Sequence, residues 1–343
     1  MPLYRHPNSF ILESGAELPA LEIQYHTYGR LNARADNAVW VFHALTGNSA
    51  VHEWWPEMMG PGRPLDPARH YIVCANMLGS CYGTTSPQSV DPRLGRPYGP
   101  DFPLLTVRDM VRAHRLLADH LGLGRIRLAI GGSMGGQQAL EWAVEEPDRF
   151  DQLCVLATNA FHSPWGIAFN EAQRMALESG GREQGLETAR AIAMLSYRNY
   201  GIFGRSQSEG NAGKIDGYRA SSYQRYQGEK LRRRFDPDSY RVLSKAMDSH
   251  HLGRGRGSAE AALASIRART LVVGIRSDIL FPVEEQEFLA RHIPQGSLVV
   301  IESPYGHDGF LVETETIGRH LLAFLNRRPA AARPTYLPGT ESF

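Results

Sequence analysis

Ser133 stands in a nest of glycines. The stretch LAIGGSMGGQQALEWAV (128–144) runs from a short apolar segment through Gly131, Gly132, Ser133, Met134, Gly135 and Gly136 into a helix-like segment. Residues 131–135 fit G-x-S-x-G in the setting where a strand turns sharply into a helix and its serine takes a strained backbone conformation. Side chains would collide in so tight a turn, and flanking glycines relieve it. The helix start also puts partial positive charge near the hydroxyl, which favours a developing anion. A serine hydroxyl is a weak nucleophile at neutral pH and needs a base.

In this arrangement the chain order is serine, acid, histidine. TLVVGIRSDILFP offers Asp278 just past an apolar run, and SLVVIESPYGHDGFL offers His307 past the next one. The implied roles are Ser133 as nucleophile, His307 as general base and then acid, and Asp278 as the group that orients the imidazole and stabilises its charged form. His250 and His251 compete for the base but follow no strand. Asp308 competes for the acid, yet a residue adjacent to His307 cannot easily orient it. An oxyanion hole needs two backbone N–H donors. Met134, after the nucleophile, and Leu45, in the loop VFHALTGNS, are the expected pair; His43 reads as structural.

These residues require strands to deliver them. Apolar or β-branched runs at 38–45, 70–78, 126–132, 150–158, 270–275 and 297–303 read as buried strands. Helical periodicity is present in 106–123, 134–147 and 283–294. Buried strands alternating with helices indicate an α/β architecture, a mainly parallel sheet with helices on both faces. The stretch 21–31 alternates and reads as an antiparallel edge strand. Residues 1–159 and 256–326 form the expected core. Residues 160–255, including a helical stretch at 185–201, read as a helical lid insertion, and the Pro-rich 327–343 as a loosely packed C-terminal tail.

Bulk properties set limits. The chain has 343 residues, 42% hydrophobic and 21% charged, with a formal net charge of +1. No global field favours nucleic acid or acidic membranes. The basic run KLRRRF (230–235) reads as a solvated helix face. Cys74, Cys81 and Cys154 are odd in number and lack metal-ligand spacing, which suits reduced thiols in the cytoplasm. There is neither a membrane-length apolar run nor a signal-like N-terminal segment, and no metal cluster or P-loop motif.

Six segments together resemble the homoserine O-acetyltransferases: HALTGNS (43–49), EWW (53–55), GPGRPLD (60–66), CANMLGSCYGTTSP (74–87), GGSMGGQQALEWA (131–143) and GHDGFL (306–311). The resemblance runs from about residue 10 to 326. It implies an α/β-hydrolase-fold acyltransferase of methionine biosynthesis, with acetyl-CoA as co-substrate and no bound cofactor. The acyl group passes to serine and then to the hydroxyl of L-homoserine, in ping-pong fashion. By the same resemblance Ser133, Asp278 and His307 match the family triad, Arg190 contacts the amino-acid carboxylate, Asp308 holds its amino group, and Tyr197 lines the site. A homodimer through the lid region is also implied, and tyrosines 197, 200, 218, 223 and 226 read as its exposed aromatics. The chain departs from the family at position 309, Gly where Ala is common, and in a shortened stretch before GLETAR. The alternatives are a succinyl donor, serine as acceptor, an esterase-type serine hydrolase, and a non-catalytic binding protein of the same fold.

Overall fold

A computed structural model describes residues 2–326; the expected tail at 327–343 lies outside the described residues. The main sheet has eight strands: β1 (Leu3–Arg5), β2 (Glu22–Tyr28), β3 (Ala38–Phe42), β4 (Tyr71–Ala75), β5 (Ile126–Gly132), β6 (Phe150–Leu156), β7 (Arg269–Ile275) and β8 (Gly296–Ile301). Their spatial order is β1-β2-β4-β3-β5-β6-β7-β8. β3 to β8 pair in parallel, while β2 is antiparallel to β4 and to β1. The segment at 21–31 is therefore antiparallel as expected but not at the edge. The three-residue β1 covers it, a segment too short for periodicity to reveal.

The central strands are apolar on both faces because both are covered. Trp40 and Phe42 of β3 point to one hydrophobic cluster, with Trp142, Met110 and Leu117. Val39 and Val41 point to the other, with Ile130, Leu156, Ile317 and Leu321. The period of two within one strand thus feeds two cores. The covering helices are α1 (Val107–His120) and α2 (Met134–Glu145) on the first face and α10 (Thr314–Asn326) on the second. Thr106 starts α1 with a capping box, its side chain accepting from Asp109 N while the Asp109 carboxylate accepts from Thr106 N.

Six helices lie between β6 and β7, the first five being α3 (Pro164–Ser179), α4 (Arg182–Tyr197), α5 (Tyr200–Gln207), α6 (Arg219–Arg232) and α7 (Pro237–Asp248). They are followed by α8 (Ala259–Ala264), and α9 (Val283–His292) joins β7 to β8. The helix expected over 185–201 is two helices. Arg198 is extended (φ −112°, ψ 146°), and Asn199 caps α5 by accepting from Gly201 N at 2.7 Å. The shortened stretch between ESGG and GLETAR, residues 182–184, is the start of α4, entered through Gly180 and Gly181, the latter at φ 71°.

Parallel strands share one carboxyl edge, and that edge is where open α/β sheets place their chemistry. Register fixes this here: Phe42 pairs with Gly131, Gly132 with Leu156, and Ile275 with Ile301. The loops after β3, β5, β7 and β8 therefore emerge together. The turn after β5 leaves no room for side chains. A Cβ on Gly135 would sit 2.4 Å from the Phe42 carbonyl oxygen. Backbone cannot yield as a flexible side chain can, so Gly135→Ala should lower unfolding free energy by about 1–3 kcal/mol. Gly124, with no atom within 4 Å of its added Cβ, is the control. Gly124→Ala should stay within about 0.5 kcal/mol of the parent in urea denaturation.

Candidate active site

Ser133 follows β5 directly and has φ 56°, ψ −128°, a region that L-residues occupy only under constraint. Several bonds impose it. Ser133 N donates to Leu156 O at 2.9 Å. Its carbonyl accepts from Gly136 N (2.9 Å), Gln137 N (3.1 Å) and the Thr158 hydroxyl (2.8 Å). The glycines answer to close neighbours: a Cβ on Gly132 would strike the Phe310 ring at 2.4 Å, and one on Gly136 the Thr158 side chain at 2.7 Å.

The structure brings the three predicted residues into one relay. His307 Nε2 lies 2.9 Å from Ser133 Oγ, and His307 Nδ1 lies 2.6 Å from Asp278 Oδ2. All three are buried. Asp278 Oδ1 accepts from Leu280 N (2.8 Å) and Phe281 N (2.9 Å), which fixes the carboxylate and leaves Oδ2 for the imidazole. With Nδ1–H committed to Asp278, Nε2 is the acceptor for the serine O–H. The ring is walled by Phe281, stacked at 5.0 Å, Phe310 at 5.3 Å and Tyr197 at 5.7 Å between centroids. The backbone also holds the histidine turn: Gly306 N donates to Ser277 Oγ at 3.0 Å, next to Asp278.

The competing residues are elsewhere. His250 lies 3.2 Å from Asn159 O and is neutral, burial pushing its pKa down to about 3. His251 stacks on Phe161. His43 is also neutral, burial lowering its pKa to about 4. Its Nε2 accepts from Met77 N at 3.1 Å and its Nδ1 donates to Ala44 O at 2.9 Å, a structural role in the loop that carries Leu45. Among the described residues Leu45 N donates to no backbone carbonyl. Met134 N is the first amide of α2, which has no partner within the helix. Both amides are available to an anion.

Arg190, Tyr197 and Asp308 gather beside His307. The Arg190 guanidinium lies over the Tyr197 ring at 5.2 Å and, among the described residues, has no ion-pair partner. Asp308 is nearly buried and pairs with Arg198, Nε to Oδ2 2.8 Å. Arg198 was not apparent in the sequence; the one signal was Asn199 as a cap after it. Tyr197 packs on His307, as the resemblance implies for a residue lining the site, rather than standing with the exposed aromatics, and Tyr223 meets Phe203 edge-on. Tyr200, Tyr218 and Tyr226 are exposed as expected. The KLRRRF run is a largely solvated face, but Arg234 Nη1 donates to Thr46 O and to Tyr82 Oη, both at 2.7 Å, and so ties it to the loop after Leu45. A Cβ on Gly309 would meet Ile275 Cγ2 at 3.0 Å and Ser303 Oγ at 3.1 Å, so an alanine there would need these side chains to give by a few tenths of an ångström.

Behind the relay, Gln137 Nε2 donates to Asn159 Oδ1 (2.9 Å), and Asn159 Nδ2 donates to Glu285 Oε2 (3.1 Å). Burial, aided by the nearby Asp278 charge and opposed by bonds from Asn159 and Ser163, pushes the Glu285 carboxyl up to about 7.

The chain matches the alpha/beta hydrolase fold family model over residues 37–181, so fold and site together define an α/β-hydrolase-fold enzyme. Esterase E22 superposes with a TM-score of 0.87 over 94% of this chain and 99% of that one, at 21% identity, a likeness of fold alone. The homoserine O-acetyltransferase of Cyclobacterium marinum is 49% identical over 322 residues, 91% of this chain and 92% of that one. The crystal structure of homoserine O-acetyltransferase from Staphylococcus aureus superposes with a TM-score of 0.82 at 29% identity, over 96% of this chain and 95% of that one. The chain belongs to the homoserine O-acetyltransferase family. Among the described residues no cluster of His, Cys, Asp or Glu could hold a metal ion, and no helix is long and apolar enough to cross a membrane.

The Glu285 shift has a sign that can be checked. A carboxyl protonated in the folded state up to about pH 7, but ionised above about pH 4.5 once unfolded, costs stability as pH rises between those values. Glu285→Gln keeps an acceptor for Asn159 and removes that cost. Its stability relative to the parent should therefore improve from pH 4.5 to pH 7 by on the order of 1–3 kcal/mol and then level off, as read from urea midpoints.

Proposed function

We propose that this chain transfers an acetyl group from acetyl-CoA to the side-chain hydroxyl of L-homoserine through an acyl-Ser133 intermediate, a cytoplasmic step of methionine biosynthesis. The observation that carries the reading is the relay Ser133–His307–Asp278 lying beside an unpaired, partly buried Arg190 and the carboxylate of Asp308. A zwitterionic acceptor needs one cation and one anion, and an ester hydrolase needs neither.

The geometry supports the following course. Ser133 Oγ attacks the thioester carbonyl as its proton passes to His307 Nε2. The N–H groups of Leu45 and Met134 receive the oxyanion, and the Asp278 carboxylate stabilises the imidazolium. Collapse breaks the C–S bond, and His307 returns the proton to the departing thiolate. Arg190 then holds the carboxylate of homoserine and Asp308 its ammonium group, with Tyr197 between Arg190 and the imidazole. The homoserine hydroxyl loses its proton to His307 Nε2 and attacks the acyl carbon, and the proton returns to Ser133 Oγ as the ester leaves. The three thiols are poor rivals for the acyl group. Burial raises the pKa of all three, Cys81 to about 11.

Residues 160–255 act as a lid over the 1–159 and 256–326 core in this reading. The same region would pair two copies of the chain, since Tyr200 is 93% and Ile215 is 90% exposed on it.

A panel of acetyl-CoA and succinyl-CoA against homoserine and serine, followed by thiol release, tests the substrate assignment. Acetyl-CoA with homoserine should exceed the other pairs. Incubation with acetyl-CoA alone should leave a mass adduct on the Ser133 peptide, and Ser133→Ala should lower the rate by on the order of 10³-fold or more. An adduct on Cys81 instead would refute the mechanism.

Arg190→Ala separates transfer from hydrolysis. It should raise the homoserine KM by an amount equivalent to ~2–4 kcal/mol, the worth of a charged contact in a partly buried site. Acylation by acetyl-CoA, which precedes the amino acid, should fall far less. Equal losses in both half-reactions would mean that Arg190 does not clamp the acceptor.

A further inference from the structure

Arg198 belongs to no motif, yet it reaches the candidate site. It sits at the break between α4 and α5, and the backbone there is pressed against the histidine turn. Gly306 has φ 64°, and a Cβ on it would lie 3.0 Å from Tyr197 O, 3.0 Å from Asn199 N and 3.1 Å from Arg198 C. The guanidinium lies over the Tyr305 ring at 5.8 Å, and its Nε is 2.8 Å from Asp308 Oδ2. Arg198 thus spans the turn from Tyr305 to Asp308, with His307 inside the span. The Arg198 side chain is 24% exposed and that of Asp308 14%, so the pair is poorly screened by water.

Each charge beside His307 can be matched. Arg190 and Arg198 are the cations, and Asp308 is the anion next to them. Arg198 is already engaged with one carboxylate oxygen of Asp308. The other, Oδ1, has no hydrogen-bond partner among the described residues. Arg198 Nε–H is not aligned on Oδ2 as a hydrogen bond, so the contact is one of Coulomb attraction between the two charges. A zwitterion would complete the set, its carboxylate on Arg190 and its ammonium on Asp308 Oδ1.

We propose that Arg198 is a positioning residue for the acceptor: it holds Asp308 by Oδ2, so that a charged Oδ1 is presented to the ammonium group of the amino acid. This rests on the acceptor reading given above. The physical need is that a carboxylate removed from water with no cation beside it becomes protonated. A neutral acid gives up the charge attraction for an ammonium group. Burial raises the Asp308 pKa, while Arg198, Arg190 and His307 oppose the rise and Asp278 adds to it. Tyr197, the other titratable group near Asp308, has its own pKa raised by burial and is neutral. Arg198 is the first of the opposing cations, and Arg190 is claimed by the substrate carboxylate.

The test is steady-state and single-turnover kinetics of the full chain with acetyl-CoA and homoserine. Arg198→Met should raise the homoserine KM at least about tenfold, with a much smaller change in acylation of Ser133. Its KM should fall as pH rises from about 6 to about 8.5, because the carboxyl freed of its cation must ionise first; the parent should be flatter. Arg198→Lys should recover part of the loss, since it keeps the charge without the planar fork. If the methionine variant does not fold, Arg198→Gln, which likewise lacks the charge, carries the test, and a parental KM then overturns the proposal. Because Arg198 acts through Asp308, adding Arg198→Met to Asp308→Asn should cost little more than Asp308→Asn alone. Multiplicative losses would mean that Arg198 touches the acceptor independently, and a KM within about twofold of the parent would mean that it plays no part. Either overturns the proposal while leaving the functional reading standing. A parent enzyme that neither turns over nor binds homoserine overturns both.

Discussion

The strained backbone of Ser133 is the constraint on which the rest depends. At φ 56° the residue leaves β5 and enters α2 within one step, and its Oγ is thrown to the carboxyl edge of the sheet. Only a crowded, fully bonded turn sustains such a conformation. Three donors on its carbonyl and an acceptor for its amide do so, and the surrounding glycines admit the Phe42 backbone, Phe310 and Thr158 at distances no Cβ would tolerate. The same closeness places Phe310, from the histidine turn, against the elbow. Ser133 Oγ and His307 are thus fixed relative to one another by packing, which is the condition for efficient proton transfer between them.

A second constraint is electrostatic. Asp278 is engaged by two amides and an imidazole, and Asp308 by Arg198. Arg190 alone among these charges lacks a counterion while lying on an aromatic ring near the relay. A partly buried guanidinium in that state is well suited to a ligand carboxylate, because it is poorly hydrated and has a planar fork to offer. Gly306, which abuts the backbone of 197–199, ties the segment bearing Tyr197 and Arg198 to the turn bearing His307. Packing therefore couples the segment of Tyr197 and Arg198 to His307.

Much of this was legible in the chain. Ser133, Asp278 and His307 could be found because each follows a run of apolar residues, and the parallel sheet those runs imply has a single carboxyl edge. The central strands were legible for the same reason. Three features were not. β1 has three residues, too few for a period to appear. The break at Arg198–Asn199 carries no proline, and the helical spacing reads through it, although the backbone there abuts Gly306. The pairing of Arg198 with Asp308, and the chain from Gln137 through Asn159 to Glu285, join residues whose separation in sequence leaves no local trace. Tyr197 shows the same limit, since an aromatic at a helix end reads alike whether it faces solvent or an imidazole.

In the proposed reaction the site holds an amino-acid acceptor against an acyl-serine in preference to water. Rapid-quench partitioning measures this directly: enzyme acylated with labelled acetyl-CoA is freed of excess donor and mixed with millimolar homoserine, and O-acetylhomoserine and acetate are counted. Water is present at about 55 M, so transfer can dominate only if homoserine is bound and oriented. Most of the label should appear in O-acetylhomoserine, and decay of the acyl-enzyme should accelerate with homoserine concentration to a plateau. Label released chiefly as acetate, at a rate indifferent to homoserine, would contradict the proposed reaction.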